Sequence, residues 1–140
     1  MSENDDKKAE NCESNKGGQN TFTFKSESGD LVTDVIADWM PLYIDDKPAA
    51  DMFYTAYLVK DDGAQRPITF CINGGPGGSS VFLQFGCAGP RILAYDDEGH
   101  EIAGAKGLVD NPSHWLAFTD LVFIDAIGTG YSRLRTEKPT

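Results

Sequence analysis

The chain has 140 residues, 40% of them apolar and 24% charged, and a formal net charge of −10. That length allows one domain with a real core, and no apolar run approaches the ~20 residues that cross a bilayer. The acidic balance and the lack of clustered Lys or Arg exclude a nucleic-acid partner, whose phosphates need neutralising cations.

Met1 to Asn20 is polar, mixed in charge and without an aromatic residue. It cannot bury enough surface to offset the entropy of ordering, so residues 1–20 read as a disordered tail ahead of a folded portion at 21–140. It also lacks the apolar segment of a secretory signal, which makes the cytoplasm the expected location. Cys12, Cys71 and Cys87 are an odd, widely spaced set with no Cys-x-x-Cys pair. Neither a disulfide framework nor a zinc site is expected from them, and no metal or other cofactor is implied elsewhere.

Thr21-Phe22-Thr23-Phe24-Lys25 alternates as a half-buried strand does, and Ser26 to Asp30 supplies a turn. Leu31 to Ile44 fits strands broken by Pro41, with a helix as the open alternative. Asp45-Asp46-Lys47-Pro48 is a turn, and Met52 to Lys60, the longest aromatic and β-branched run, is a strand ended by Asp61-Asp62-Gly63. Ile68-Thr69-Phe70-Cys71-Ile72 reads as a strand buried on both faces, as in a parallel sheet. After it comes a glycine loop, then Val81 to Phe85 as a short apolar helical turn closed by Gly86. Arg91 to Tyr95 reads as a strand running into a surface turn at Asp96 to Gly99. Leu121 to Asp125 is a second buried strand, with a turn at Gly128-Thr129-Gly130.

The loop is the most informative stretch. Between Asn73 and Ser79, four glycines and one proline fill five positions. They leave almost no side chain over the backbone and open φ values closed to other residues. Ser79 or Ser80 is placed to cap the helix that follows, at a junction where free N–H groups favour negative charge. Three chemistries use such a loop. A Walker-type phosphate loop needs a lysine, and none lies between Lys60 and Lys106. A dinucleotide fingerprint needs Gly-x-Gly-x-x-Gly, but Gly75-Pro76-Gly77 is followed at the third position by Ser80, and Pro76 removes a donor. The third is an oxyanion-hole loop, whose glycine N–H groups face the charge that develops on a carbonyl oxygen during acyl transfer. A plain strand-to-helix turn is the structural alternative.

Asn73-Gly74-Gly75-Pro76-Gly77-Gly78-Ser79-Ser80 resembles the Asn-Gly-Gly-Pro-Gly-Cys-Ser-Ser signature of the serine carboxypeptidase family of α/β-hydrolases. Gly89-Pro90, Asn111-Pro112-Ser113-His114-Trp115 and Phe123 to Ser132 resemble later blocks of that family in the same order. The resemblance implies an α/β fold, here the N-terminal part of an α/β-hydrolase whose mixed, mostly parallel sheet carries flanking helices. Such a domain normally exceeds about 200 residues, so the C-terminal part is expected to be missing. The resemblance implies Ser-His-Asp acyl transfer on a peptide or small acyl substrate. The Gly75 N–H would be one oxyanion donor, Gly74 would shape the loop and Asn73 would bind the substrate's terminal carboxylate. This chain departs at Gly78, where many members have cysteine, and at Cys87, where the family commonly has a glutamate that shares in carboxylate recognition.

The nucleophile is not in evidence. No Gly-x-Ser-x-Gly elbow occurs, and the runs around Ser79, Ser80 and Ser132 lack its closing glycine. His100 reads as exposed, His114 as a satisfied structural histidine, and Asp125 as a carboxylate that binds loop N–H groups. The triad nucleophile, aspartate and histidine are all expected beyond Thr140, which leaves this chain inactive alone. Its apolar strand at 68–72 would then be an open edge, and the fragment is expected to self-associate. The competing function is a non-catalytic binding module that keeps the hydrolase front half, favoured if a natural stop codon follows Thr140.

Overall fold

A computed structural model describes residues 16–61, 63, 65–102 and 107–135. The first fifteen residues of the expected tail lie outside it.

Three long strands lead: β1 (Gly18–Ser26), β2 (Gly29–Ile44) and β3 (Lys47–Val59). They form an antiparallel meander whose tight connections fall where the turn residues do. Gly29 takes φ +123, and Asp45 and Asp46 take φ 47 and 61, values that short Asp side chains tolerate in hairpin turns. β1 begins three residues before the expected Thr21, because Gly18 to Asn20 pair with Ala37 to Val35. β2 is not broken at Pro41, which stays in register opposite Asp51; the shift comes only between Leu42 and Tyr43. β1 reaches no further along β2 than Ala37. Pro41 therefore sits where one edge of β2 is open and a missing N–H is tolerated.

β4 (Ile68–Ile72) and β7 (Asp120–Ile124) complete the main sheet in the order β1-β2-β3-β7-β4, with the short β8 (Arg133–Leu134) on β3. β7 lies antiparallel to β3 and parallel to β4, so the sheet is mixed. Between them, α1 (Val81–Leu83) widens into a π-turn, Gln84–Ala88. Gly86 lies inside this turn. The residue that closes it is Gly89, where a Cβ would fall 2.0 Å from the Gln84 carbonyl oxygen. β5 (Arg91–Leu93) pairs with β6 (Leu108–Asp110), a strand that the sequence pattern did not suggest. A 3-10 turn, Trp115–Ala117, leads into β7.

The core is a cluster of Phe24, Tyr57, Cys71, Ala88, Leu116, Leu121 and Phe123, with Leu31, Val35, Val59 and Leu83 against it. It ties the meander to β7 and to the helical turn. Underneath, Arg66 makes a mostly buried ion pair with Asp120 at 2.9 Å and donates to the Leu116 carbonyl. Asp120 also accepts from the Val59 N–H at 3.1 Å, so its charge is shared between two donors as a buried carboxylate requires. The expectation that β4 is buried on both faces is corrected. Cys71 points into the core, but Ile68, Phe70 and Ile72 are exposed, because among the described residues no layer covers their face.

Candidate functional site

The glycine loop leaves the C-terminal end of β4, and its backbone follows from its residues. Gly75 has φ +62 and Gly77 φ +97. The Gly78 N–H donates to the Gly75 carbonyl at 3.1 Å, closing a turn with Pro76 and then a positive-φ glycine at its centre, the type II arrangement. Gly74 to Gly77 are exposed. Neither the Gly74 nor the Gly75 N–H finds an acceptor among the described residues. Asn73 lies half-buried behind them, its side-chain amide folded over Gly78, where a Cβ would fall 2.5 Å from Asn73 Nδ2. Glycine at 78 is what lets the Asn73 amide take this position.

The loop is held from behind by Asp125, which follows β7 and is buried. Its Oδ1 accepts from the Ser79 hydroxyl at 2.8 Å and the Ser80 N–H at 2.9 Å, and its Oδ2 accepts from the Tyr131 N–H at 3.1 Å. One carboxylate thus joins the glycine loop to the turn after β7. Gly130, with φ +50, passes so close that a Cβ there would lie 1.8 Å from Asp125 Oδ2. The expected structural role of Asp125 matches this geometry.

The two serines divide the capping work differently from expectation. Ser79 Oγ accepts from the Val81 N–H at 3.2 Å and so does cap the first turn. Ser80 does not cap through its side chain. Its buried hydroxyl accepts from the Asn73 N–H at 3.1 Å and donates to the Ile124 carbonyl. It therefore bridges β4 and β7 at the point where the strands part to let the loop out. This role has a legible signal only in retrospect: a hydroxyl residue just past a glycine loop, paired with a strand that ends in Asp.

The remaining candidates fall elsewhere. Ser132 is fully buried, donating to the Asp125 carbonyl at 2.7 Å and accepting from the Phe53 N–H at 2.8 Å, so it is committed to structure. His100 is exposed beside Asp96, 3.5 Å away, and Glu98. Both His100 and Glu98 donate backbone N–H bonds to Asp96 Oδ1, which accounts for the cluster as a turn. His114 is buried and its Nε2 donates to the Lys25 carbonyl at 2.7 Å, while Nδ1 has no partner among the described residues. It links the first hairpin to the 3-10 turn, and the pocket beside it is not lined by loop residues. Asn111 is a buried staple whose Nδ2 donates to the Cys87 and Gly89 carbonyls, both at 2.8 Å. Cys87 itself is exposed, and burial, helped by the nearby Cys87 thiol, pushes the Cys71 thiol pKa up.

Behind the loop, a cavity of about 250 Å³ is walled by Phe53, Thr55, Gln84, Phe123 and Tyr131 and floored by Asp125. Its rim reaches Ser79 and Ser80 but not Asn73, Gly74 or Gly75. Gln84 Nε2 donates to the Tyr57 hydroxyl at 2.8 Å, and burial holds the Tyr57 pKa above its ordinary value. A backbone locked from behind presents donors that need break no bond before meeting an anionic oxygen.

Comparison with known proteins places nearly the whole of the described chain in one family. The serine carboxypeptidase family model matches residues 18–140. Two Arabidopsis thaliana proteins, serine carboxypeptidase-like 44 and serine carboxypeptidase-like 30, are each 29% identical to the chain, over 69% and 84% of it. The crystal structure of Kex1(delta)p, a prohormone-processing carboxypeptidase from Saccharomyces cerevisiae, superposes with a TM-score of 0.58 at 27% identity over 76% of the chain. The chain spans only 19% and 25% of the two plant proteins and 22% of the yeast structure. Among the described residues no helix is long and apolar enough to cross a membrane.

Proposed function

Because the chain belongs to the serine carboxypeptidase family, we propose that its glycine loop is the oxyanion-binding half of a serine-type acyl-transfer site that acts on peptide or small acyl substrates. In this reading the Gly75 N–H is one oxyanion donor and Gly74 shapes the approach. Asn73 donates its amide to the substrate's terminal carboxylate, a neutral donor that fixes the anion without bringing a mobile charge. The observation that carries the reading is the pairing of exposed, unengaged N–H groups at Gly74 and Gly75 with a backbone immobilised by Asp125 and Ser80. Electrostatic preorganisation of this kind contributes about 10²–10³ in kcat per donor in acyl-transfer enzymes.

The same reading makes the chain inert by itself. Among the described residues, a buried Ser132, and a Ser79 and Ser80 whose hydroxyls are bonded to Asp125 and Ile124 with no histidine beside them, offer no activated nucleophile at the loop. A fluorophosphonate probe incubated with the 140-residue chain is expected to leave it unlabelled. Stoichiometric labelling at Ser79, Ser80 or Ser132 would contradict the assignment of these serines to structure. In a longer polypeptide carrying this segment, Cys87 in place of the family's glutamate leaves Asn73 as the main carboxylate donor. Such a protein is expected to prefer a free over an amidated peptide C-terminus by less than about a hundredfold in kcat/KM, or about 2.7 kcal/mol.

A further inference from the structure

The glycine loop also carries a reactivity of its own. Asn73 is followed by Gly74, and in an Asn-Gly pair the glycine nitrogen is the nucleophile nearest to the asparagine side-chain carbonyl carbon. Among the described asparagines, Asn73 is the one left free for that attack. Asn20 precedes β-branched Thr21 and lies in the β1–β2 ladder opposite Val35. Asn111 precedes Pro112, which has no N–H, and its Nδ2 donates to the Cys87 and Gly89 carbonyls. Gly74 is exposed, has no Cβ to hinder approach, and donates its N–H to nothing among the described residues. Asn73 is half-buried, so water still reaches it, and it is anchored through its backbone N–H to the Ser80 hydroxyl at 3.1 Å. Its carboxamide makes no hydrogen bond among the described residues. Rotation about the Cα–Cβ and Cα–C bonds, which ring closure needs, is therefore not blocked by the anchor.

We propose that Asn73 is a deamidation site, converted to aspartate and isoaspartate through a succinimide formed with Gly74. The Gly74 N–H loses its proton to base, the nitrogen bonds to Asn73 Cγ, and the carboxamide nitrogen leaves as ammonia. Water then opens the ring. Breaking the new N–Cγ bond restores the backbone with aspartate at position 73, whereas breaking the original peptide bond routes the backbone through the side chain as isoaspartate. One water is consumed and one ammonia released, with no change of oxidation state. Attacking and attacked atoms belong to adjacent residues, so the reaction needs no partner chain and no metal. Its consequence rests on the reading of Asn73 as the carboxylate donor. An ionised aspartate only accepts hydrogen bonds, so the donor is lost. The new charge also lies next to the Gly74 and Gly75 N–H groups, where it competes with any anionic oxygen. The bareness that exposes the loop's donors thus exposes its nucleophile as well.

Incubation of the 140-residue chain at mildly alkaline pH, followed by peptide mapping and isoaspartyl methyltransferase labelling, is expected to show aspartate and isoaspartate at position 73. The conversion should increase with time and with pH, because the attacking nitrogen is deprotonated. Asn20 and Asn111 should stay unchanged over the same interval. Gly74→Ala has room for its methyl, since a Cβ there meets nothing within 4 Å, and it requires no left-handed backbone. That variant should keep the fold, read by circular dichroism, and react severalfold more slowly because the methyl shields the nitrogen. An unchanged Asn73, equal conversion at Asn20, a rate that does not rise with pH, or no slowing in folded Gly74→Ala would each overturn the proposal. None of these readouts involves acyl transfer, so failure here leaves the oxyanion reading standing, and failure of that reading leaves the modification site standing.

Discussion

The two sides of β4 are built from one five-residue strand and differ in almost everything. On the β7 side every polar group is answered: the Pro67 carbonyl by Asp120, the Asn73 N–H by Ser80, and the loop beyond by the Asp125 carboxylate. On the open side, no strand lies beside β4 among the described residues, and the side chains of Ile68, Phe70 and Ile72 meet solvent. The loop's geometry is thus set entirely from one flank. Its exposed glycines are precise because of what lies behind them, and they need nothing from the open edge.

Substitutions on the two sides should separate accordingly. The largest loss is expected for Asp125→Ala, which strands the Ser80 and Tyr131 N–H groups and the Ser79 hydroxyl. About 3 kcal/mol of unfolding free energy should disappear, read from the urea midpoint. Gly130→Ala comes next, at about 1–3 kcal/mol, because it forces a non-glycine residue to φ +50 and drives a methyl into Asp125. If it were neutral, the clamp would be looser than described.

A smaller effect is expected from pH at the far end of the sheet. Asp51 is held below the usual carboxylate range by hydrogen bonds from Arg135, against an opposing cost of burial. A lowered folded pKa means the pair's contribution is complete above the unfolded value of about 3.9 and is lost as pH falls through the folded one. The pair is partly exposed, so Asp51→Asn should remove under about 1 kcal/mol at pH 7 and flatten the acid limb of the stability curve. Smallest of all is Ile68→Thr on the open edge. In dilute, monomeric solution it should change stability by less than about 0.5 kcal/mol, since its side chain is already half in water.

Much of this was legible in the residues. The alternation of Thr21 to Lys25, the aromatic run to Lys60 and the glycine loop after Ile72 each carry a local signal, and each became the element expected. Asp125 as a binder of loop N–H groups was legible from its place at the end of an apolar strand. What escaped has long-range causes. Pro41 did not break β2 because β1 stops short of it, a fact of pairing that the local sequence does not contain. β6 depends on a partner some seventeen residues upstream, Arg91 to Leu93. The exposure of Ile68, Phe70 and Ile72 contradicts a run of apolar residues, since the pattern reports a strand's affinity for cover and not whether cover is present. The bridging role of Ser80 required knowing that β4 and β7 are neighbours.

The central claim is that the loop is locked from behind while its outward donors stay open, and residue-resolved amide exchange in dilute solution tests it most directly. The N–H groups of Asn73, Ser80 and Tyr131 should exchange slowly, with those of Ser80 and Tyr131 losing protection in Asp125→Ala, while Gly74 and Gly75 exchange rapidly in both proteins. Slow exchange at Gly75, or unprotected Ser80 and Tyr131 in the unmodified chain, would contradict it.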